Sequence, residues 1–327
     1  MIVVTGAAGF IGSNVVAALN ERGTDEILVC DRLGSDGRWQ NLGKRMFTDF
    51  ARPEDLLARM EARGDVSAVI HLGAISSTTV TDGDEVMRDN YLTTRHLLDW
   101  CTERQVPFLY ASSAATYGDG ERGFEDDWSL AALKSLRPLN LYGWSKHQID
   151  LLVAHRHETG KKMPPKCIGM KFFNVFGPNE YHKGEMKSVV AKMTPVARAG
   201  ETVSLFKSHR AGIPDGGQKR DFIYVEDVVT VLLWLLDGPV ERGIFNLGTG
   251  MARSFADLAH ATFSALQRAP KIEYVPMPET LRGRYQYFTQ ASTDRLRAAG
   301  YQAPFTPLEE SVARYVQGFL EREDPYR

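Results

Sequence analysis

Tyr142 and Lys146 stand four residues apart as Y-x-x-x-K, in a stretch whose spacing predicts a helix over 142–157. Four residues is about one helical turn, so both side chains share a face. A phenol ordinarily titrates at about pH 10. A neighbouring ammonium favours the phenolate and brings that value toward one useful for moving an alcohol proton. Lys146 can also reach a cofactor ribose. Ser113, in the segment ASSAATYG that follows VPFLY, can hydrogen-bond the same substrate oxygen. A Tyr and a Lys at helical spacing also describe an ordinary helix surface, so the catalytic reading depends on what stands beside them.

What stands upstream is a glycine-rich turn. Gly6, Gly9 and Gly12 form G-x-x-G-x-x-G in TGAAGFIG, between the β-branched run Ile2 to Thr5 and a helical pattern over about 10–22. Glycine permits a tight turn and lets backbone approach a pyrophosphate at a helix N-terminus, where free N–H groups and the dipole favour anions. Asp31 ends the next strand about 20 residues on, where a carboxylate meets an adenosine ribose hydroxyl. Arg32 and Arg38 follow closely. They are either solvated surface arginines or a guanidinium fork for a 2′-phosphate, and together they tilt the expected cofactor toward NADP over NAD.

These residues need a scaffold. Short apolar runs at 27–30, 66–71, 106–110 and 166–173 alternate with helical patterns at 84–104 and 142–157. That alternation predicts an α/β fold, a Rossmann-type doubly wound parallel sheet. Beyond about residue 175, loops such as GPNEYHKGE and SHRAGIPDGGQKRD interrupt shorter elements, a helix is expected in VEDVVTVLLWLL, and Gly243 to Leu247 reads as a strand returning to the first sheet. The expected division is 1–173 plus about 222–248 for the dinucleotide, with 174–221 and 249–327 forming a smaller, discontinuous α/β substrate domain. The 327 residues carry 39 basic and 41 acidic side chains, a net charge of −2. With no global field for nucleic acid or an anionic membrane, anion recognition must be local. Cys30, Cys101 and Cys167 show no metal-site or disulfide spacing, so reduced thiols in a cytoplasmic protein and no metal are expected. No apolar run reaches the length of about 18 residues that spans a bilayer.

TGAAGFIG, ASSAATYG, YGWSK, FFNVFGP and RDFIYVEDV resemble the extended short-chain dehydrogenase/reductase superfamily. Within it, SSAATYG, FNVFGPNEYHKGEMKSV, IFNLGTG and RGRYQYFTQA resemble the ADP-glyceromanno-heptose 6-epimerases, over residues 1 to about 315. The resemblance implies interconversion of ADP-D-glycero- and ADP-L-glycero-D-manno-heptose, a step toward lipopolysaccharide inner core. C6 of that sugar has no acidifying carbonyl neighbour, so NADP would take a hydride, leave a transient 6-keto sugar, and return the hydride to its other face. By this resemblance Tyr142 and Lys183 are the two acid/base groups, Ser113 the alcohol-oxygen partner and Lys146 the electrostatic tuner. It further implies cofactor contacts from Phe10, Ile11, Leu72, Gly73, Ala74, Ile75, Ser76, Asn90, Val175 and Lys183. Asn174, Glu185 and Lys192 would meet the substrate, Phe206, Lys207, Ser208 and His209 would form a nucleotide segment, and Arg220 with Tyr285 would hold the ADP moiety. A homo-oligomer, a pentamer, is implied as well.

Two features depart from that pattern: a longer loop between Ser208 and Arg220, and Pro53 beside Arg52 where relatives place a lysine for the adenosine end. Two rivals remain. A 4,6-dehydratase would carry an Asp-Glu pair after its Ser or Thr, whereas Ala114 and Ala115 follow Ser113; a UDP-sugar 4-epimerase fits the same motifs. A non-catalytic dinucleotide sensor would commonly have lost the Tyr or Lys that this chain keeps.

Overall fold

The computed structural model describes residues 1–282 and 285–327. Its strands are β1 (Ile2–Thr5), β2 (Ile27–Cys30), β3 (Asp49–Ala51), β4 (Ala68–His71), β5 (Phe108–Ser113), β6 (Cys167–Phe172), β7 (Asn174–Phe176), β8 (Val203–Phe206), β9 (Lys219–Tyr224), β10 (Arg242–Leu247), β11 (Ala252–Ser254) and β12 (Ile272–Val275). The helices are α1 (Phe10–Glu21), α2 (Leu56–Arg63), α3 (Gly83–Val86), α4 (Thr93–Arg104), α5 (Leu130–Ser135), α6 (Leu141–Glu158), α7 (Val189–Arg198), α8 (Val225–Asp237), α9 (Phe255–Ala265), α10 (Glu279–Arg282), α11 (Asp294–Ala298) and α12 (Leu308–Tyr315).

Seven parallel strands form one sheet in the order β10-β6-β5-β4-β1-β2-β3. The strands are continuous apolar runs because helices cover both faces. Alternate residues divide cleanly between two cores. Val4, Val29, Ile70, Leu109 and Ile168 face the layer that holds α1 and α8. Val3, Leu28, Val69, Phe108 and Cys167 face α2, α4 and α6. Gly243 to Leu247 does return to this sheet, pairing with β6. Two small sheets, β11-β9-β7 and β12-β8, hold the later chain. The sequence reading left these short strands unassigned.

Two differences from the expected elements bear on the site. The strand expected at 106–110 begins at Phe108 and runs on to Ser113, since Pro107 has no N–H for the ladder. The helix expected over 84–104 contains a π-helical turn at Met87–Leu92, the kind of local insertion that turns one residue inward. That residue is Asn90, fully buried.

Residues 325–327 pack against the Asn179–Tyr181 segment, Lys44 and α1. Tyr181 donates to the Pro325 carbonyl at 2.7 Å, Lys44 to that of Tyr326 at 2.6 Å, and the Arg327 amide to Asn179 Oδ1 at 3.0 Å. Arg327 also pairs with Glu21 on α1 at 2.9 Å.

The β1–α1 turn is built on backbone contact. Gly6 has φ +65°, and a Cβ there would lie 2.7 Å from the Gly73 nitrogen. A Cβ on Gly12 would fall 2.0 Å from the Gly6 carbonyl oxygen. Gly12→Ala should therefore destabilise the protein by about 3 kcal/mol and abolish dinucleotide binding. Urea unfolding and fluorescence titration with the dinucleotide read both; an unchanged midpoint would contradict the packing described.

Candidate active site

The site forms at the carboxyl edge of the large sheet, where crossovers in such folds leave a crevice. α1 starts there with Gly9 as its N-cap, no side-chain cap and no acid in its first turn. Its leading amides, at Phe10 and Ile11, are left for an anion. These features fit a dinucleotide: glycines 6, 9 and 12 leave no Cβ between backbone and pyrophosphate. Asp31 closes β2 and turns back onto the same turn, accepting from Ala8 N at 2.9 Å and from its neighbour Arg32 N at 2.8 Å. Burial pushes its carboxyl above the usual range, against these hydrogen bonds. Arg32 pairs with Glu54 at 2.7 Å and Asp89 at 3.1 Å. Arg38 pairs with Asp36 at 2.6 Å. Arg52, two residues before Glu54, contacts the same carboxylate at 3.5 Å.

Leu72 to Ser76 leave β4 beside this turn. Gly73 N donates to Thr5 Oγ1 at 3.0 Å, and Leu72 N to the Thr5 carbonyl at 3.2 Å. Asn90 holds the next part of the loop with both ends of its amide: Ile75 N donates to Oδ1 at 2.8 Å, and Nδ2 donates to the Ile75 carbonyl at 3.0 Å. Nδ2 also donates to Ser145 Oγ at 2.9 Å, and Ser145 Oγ to the Tyr142 carbonyl at 2.7 Å. Asn90 thus links the loop to α6, and its bearing on a cofactor runs through the loop it clamps. Behind it, Thr94 donates to the Asn90 carbonyl at 2.5 Å. Its oxygen then accepts from His71 Nε2 at 2.9 Å, so Nδ1 accepts from Thr5 at 2.6 Å. Burial, with Lys146 nearby, pushes His71 down to about 3, so the ring is neutral.

α6 is capped by Asn140, whose side chain accepts from Gly143 N at 2.8 Å. A Cβ on Gly143 would lie 2.7 Å from the Ala115 carbonyl. That absence of a side chain lets the helix start press against the turn after β5, where Tyr142 meets the Ser113 hydroxyl. Ser113 Oγ also accepts from Ala115 N at 3.1 Å. Burial raises the Tyr142 phenol above its ordinary value, and the hydrogen bond from Ser113 opposes the rise. Lys146 is itself 3% exposed; burial pushes it down to about 8, with Asp150 pulling the other way.

Lys183 lies in the 3-10 turn Tyr181–Met186, and its Nζ stands 5.4 Å from the centroid of the Phe10 ring. The second lysine therefore reaches the glycine turn itself. Burial lowers its pKa, and the buried Glu180 beside it opposes that. Glu180 is fixed by Ser188, accepting from its amide at 2.5 Å and its hydroxyl at 2.6 Å. Asn174 is exposed on β7 with Val175 next to it. Glu185 and Lys192 pair with each other at 3.0 Å on the surface.

Arg220, Tyr285 and Phe206 come together, as their shared assignment requires. The Arg220 guanidinium is 5.2 Å from the Tyr285 centroid and 5.7 Å from that of Phe255. Phe206 meets Tyr285 edge-on at 6.2 Å. Arg220 is buried and donates to the Lys219 carbonyl at 2.9 Å; no carboxylate among the described residues acts on it. A buried cation with aromatic faces and no anion suits a phosphate. The longer loop is folded, with Ser208 N donating to Asp215 at 2.8 Å and His209 N to the Tyr287 hydroxyl at 3.0 Å. Lys207 N joins the small sheet through the Val275 carbonyl. Gly283 and Arg284, within the RGRYQYFTQA motif, lie outside the described residues. The three cysteines are free and buried, and burial drives Cys30 and Cys167 up to about 12.

The sequence reading singled out neither Gly143, Ser145, His71 nor Thr5. Gly143 and Ser145 had a visible signal, both lying inside YGWSK.

This fold and site define the chain's class, and the comparisons agree. The chain belongs to the NAD dependent epimerase/dehydratase family, whose profile matches residues 2–248. It is 46% identical over 329 residues, all of both chains, to an ADP-L-glycero-D-manno-heptose-6-epimerase of Nitratidesulfovibrio vulgaris. It is similar to the crystal structure of the Helicobacter pylori enzyme of that name, with TM-score 0.81 and 27% identity over 97% of this chain and 95% of that one. A Thermus thermophilus UDP-glucose 4-epimerase in complex with NAD gives TM-score 0.75 at 26% identity, covering 97% of each chain.

Glu180→Gln should lower the Lys183 pKa further, because the carboxylate is the group that raises it. NMR titration of 13Cε-lysine-labelled protein follows this directly. A Lys183 signal that titrates unchanged would remove Glu180 from the account.

Proposed function

We propose that this enzyme is an isomerase inverting C6 of ADP-D-glycero-β-D-manno-heptose to give the ADP-L-glycero epimer, a precursor of lipopolysaccharide inner core. The supporting observation is that the chain holds two separate proton-handling groups, Tyr142 beside Ser113 at the end of β5 and Lys183 over Phe10 at the glycine turn. One acid/base group suffices for a dehydrogenase; inversion requires the sugar to present two faces, and a second group serves the second orientation.

A nicotinamide dinucleotide, when bound, supplies reversible hydride transfer at C6. The chain's own residues do the rest. Ser113 orients the C6 oxygen, and Tyr142 takes its proton as the 6-ketone forms and gives one back as the alcohol returns. Lys146, held as an ammonium below the phenol, favours the phenolate in that exchange. Lys183 handles the proton when the ketone is turned, and its lowered pKa brings it closer to neutrality, where it can both accept and donate. Arg220 between Tyr285 and Phe255 takes the ADP diphosphate, with Phe206 to His209 alongside. Asn174, Glu185 and Lys192 form the sugar-side rim.

The preferred dinucleotide is NADP. Arg32 and Arg38 flank Asp31, and their nearest carboxylate partners, Glu54 and Asp36, are on the surface, where such pairs contribute about 0–1 kcal/mol. A 2′-phosphate displaces them at little cost. Residues 1–173 with 222–248 form the dinucleotide lobe, and 174–221 with 249–327 the substrate lobe. The same reading makes the enzyme a cytoplasmic homo-oligomer, a pentamer; among the described residues no helix is long and apolar enough to cross a membrane.

Tyr142→Phe and Lys183→Met should each reduce C6 inversion, followed by NMR of ADP-heptose, by about 100-fold or more, with the dinucleotide still bound. Near-normal rates in the double variant would sink the two-base assignment, and faster epimerisation of UDP-galactose than of ADP-heptose would sink the substrate. Arg32→Ala with Arg38→Ala should weaken NADP about tenfold or more, by calorimetry. NAD should be little affected, and equal losses for both dinucleotides would reject the 2′-phosphate role.

A further inference from the structure

Asp150 is the third member of a row on α6: Tyr142, Lys146 and Asp150 follow at four-residue intervals on one helix face. The first two belong to the site, whereas Asp150 is 0% exposed. Its carboxylate accepts from Lys171 Nζ at 2.9 Å, Ser112 Oγ at 2.7 Å and Tyr110 OH at 3.0 Å. Lys171, on β6, is 1% exposed. Its Nζ also donates to Thr116 Oγ1 at 2.5 Å and stands 4.6 Å from the Tyr117 ring centroid. Thr116 in turn donates to the Ser113 carbonyl at 2.8 Å. One buried ion pair thereby joins the helix of Tyr142 and Lys146 to the strand end of Ser113.

Such a pair is a poor device for stability alone. Apolar residues of similar volume are often as stable, because two charges must be stripped of water. Its placement suggests another use. An anion one turn below an ammonium, in a medium of low dielectric, opposes the loss of that ammonium's proton.

We propose that Asp150 and Lys171 are a positioning pair for the reaction: Asp150 keeps Lys146 charged in its dry site, and Lys171 holds Asp150 in place. The proposal rests on the reading of Lys146 as the ammonium that serves Tyr142. Lys146 is faced by His71 from β4, which is neutral, and by Tyr142 and Asp150 on its own helix. The pair is faced by Tyr110, Tyr117 and His147. Asp150 is therefore the anion that sustains the charge on Lys146. The sign follows: raising pH through about 8 removes the ammonium, and removing Asp150 moves that loss to lower pH.

The test uses the cofactor-loaded enzyme labelled with 13Cε-lysine, in three forms besides wild type. Asp150→Asn removes the anion. Asp150→Leu with Lys171→Met removes both charges and leaves no buried lysine unpaired, should the single variant fold poorly. Asp150→Glu restores the anion. The expected result is a Lys146 titration lowered by about one pH unit or more, tenfold in proton affinity, in the first two. Asp150→Glu should stay near wild type, and the alkaline limb of the kcat profile should move with the titration. A Lys146 titration that does not move, or kcat reduced evenly at all pH with the limb in place, would overturn the proposal by making the pair purely structural. A titration that moves while the kcat profile stays fixed would uphold the pair's hold on Lys146. It would count instead against the part given to Lys146 in the epimerisation.

Discussion

Backbone pressed on backbone is the constraint from which the rest of the site is hung. Gly12 sits against the Gly6 carbonyl, and Gly6 against Gly73, so α1 begins at the sheet edge with nothing between its amides and the crevice. The same contact sets the Leu72–Ser76 loop, which Asn90 clasps through Ile75 and ties through Ser145 to the carbonyl of Tyr142. It also fixes Phe10, on whose ring Lys183 rests. Dinucleotide turn, phenol and second lysine are thus placed relative to one another by a few short contacts. A single methyl group at position 12 would push on all of them.

The electrostatic plan is equally local. The chain is near neutral, yet Lys146 is buried and Lys183 half-buried, and one carboxylate opposes the lowering of each, Asp150 for Lys146 and Glu180 for Lys183. Burial pulls each toward losing its proton, and the one anion in reach pulls the other way. Arg220 follows the opposite rule, being buried against aromatic faces with no carboxylate acting on it among the described residues, and so stays available to an outside anion.

Much of this was legible in the chain. The strand, glycine turn, helix and Asp31 follow from period and spacing, and the Y-x-x-x-K row needs only a helix to bring it onto one face. The structure brings Phe206, Arg220 and Tyr285 together across 79 residues as the resemblance implied. What stayed hidden has a common cause. β3, β8, β11 and β12, at three or four residues, mix polar with apolar positions and lack the consecutive apolar run that marks β1, β2 and β4 at the same length. The π-helical turn at Met87–Leu92 leaves no mark in composition. Asp150 and Lys171 read as ordinary polar positions until the fold removes both from water. That burial raises the Tyr142 phenol could not be read from spacing, which shows neighbouring charge and not the loss of water.

The fastening of residues 325–327 has a consequence for how the molecule is made. Tyr181, in the turn that carries Lys183, bonds to the carbonyl of Pro325, 144 residues later, and Asn179 receives the Arg327 amide. During synthesis, β1 through β6 and the glycine turn emerge and can pack long before these partners exist. The crevice at the glycine turn can therefore assemble early, while the turn bearing Lys183 waits for residues 325–327 to emerge. Completion of this turn is an event in time, and it follows that emergence.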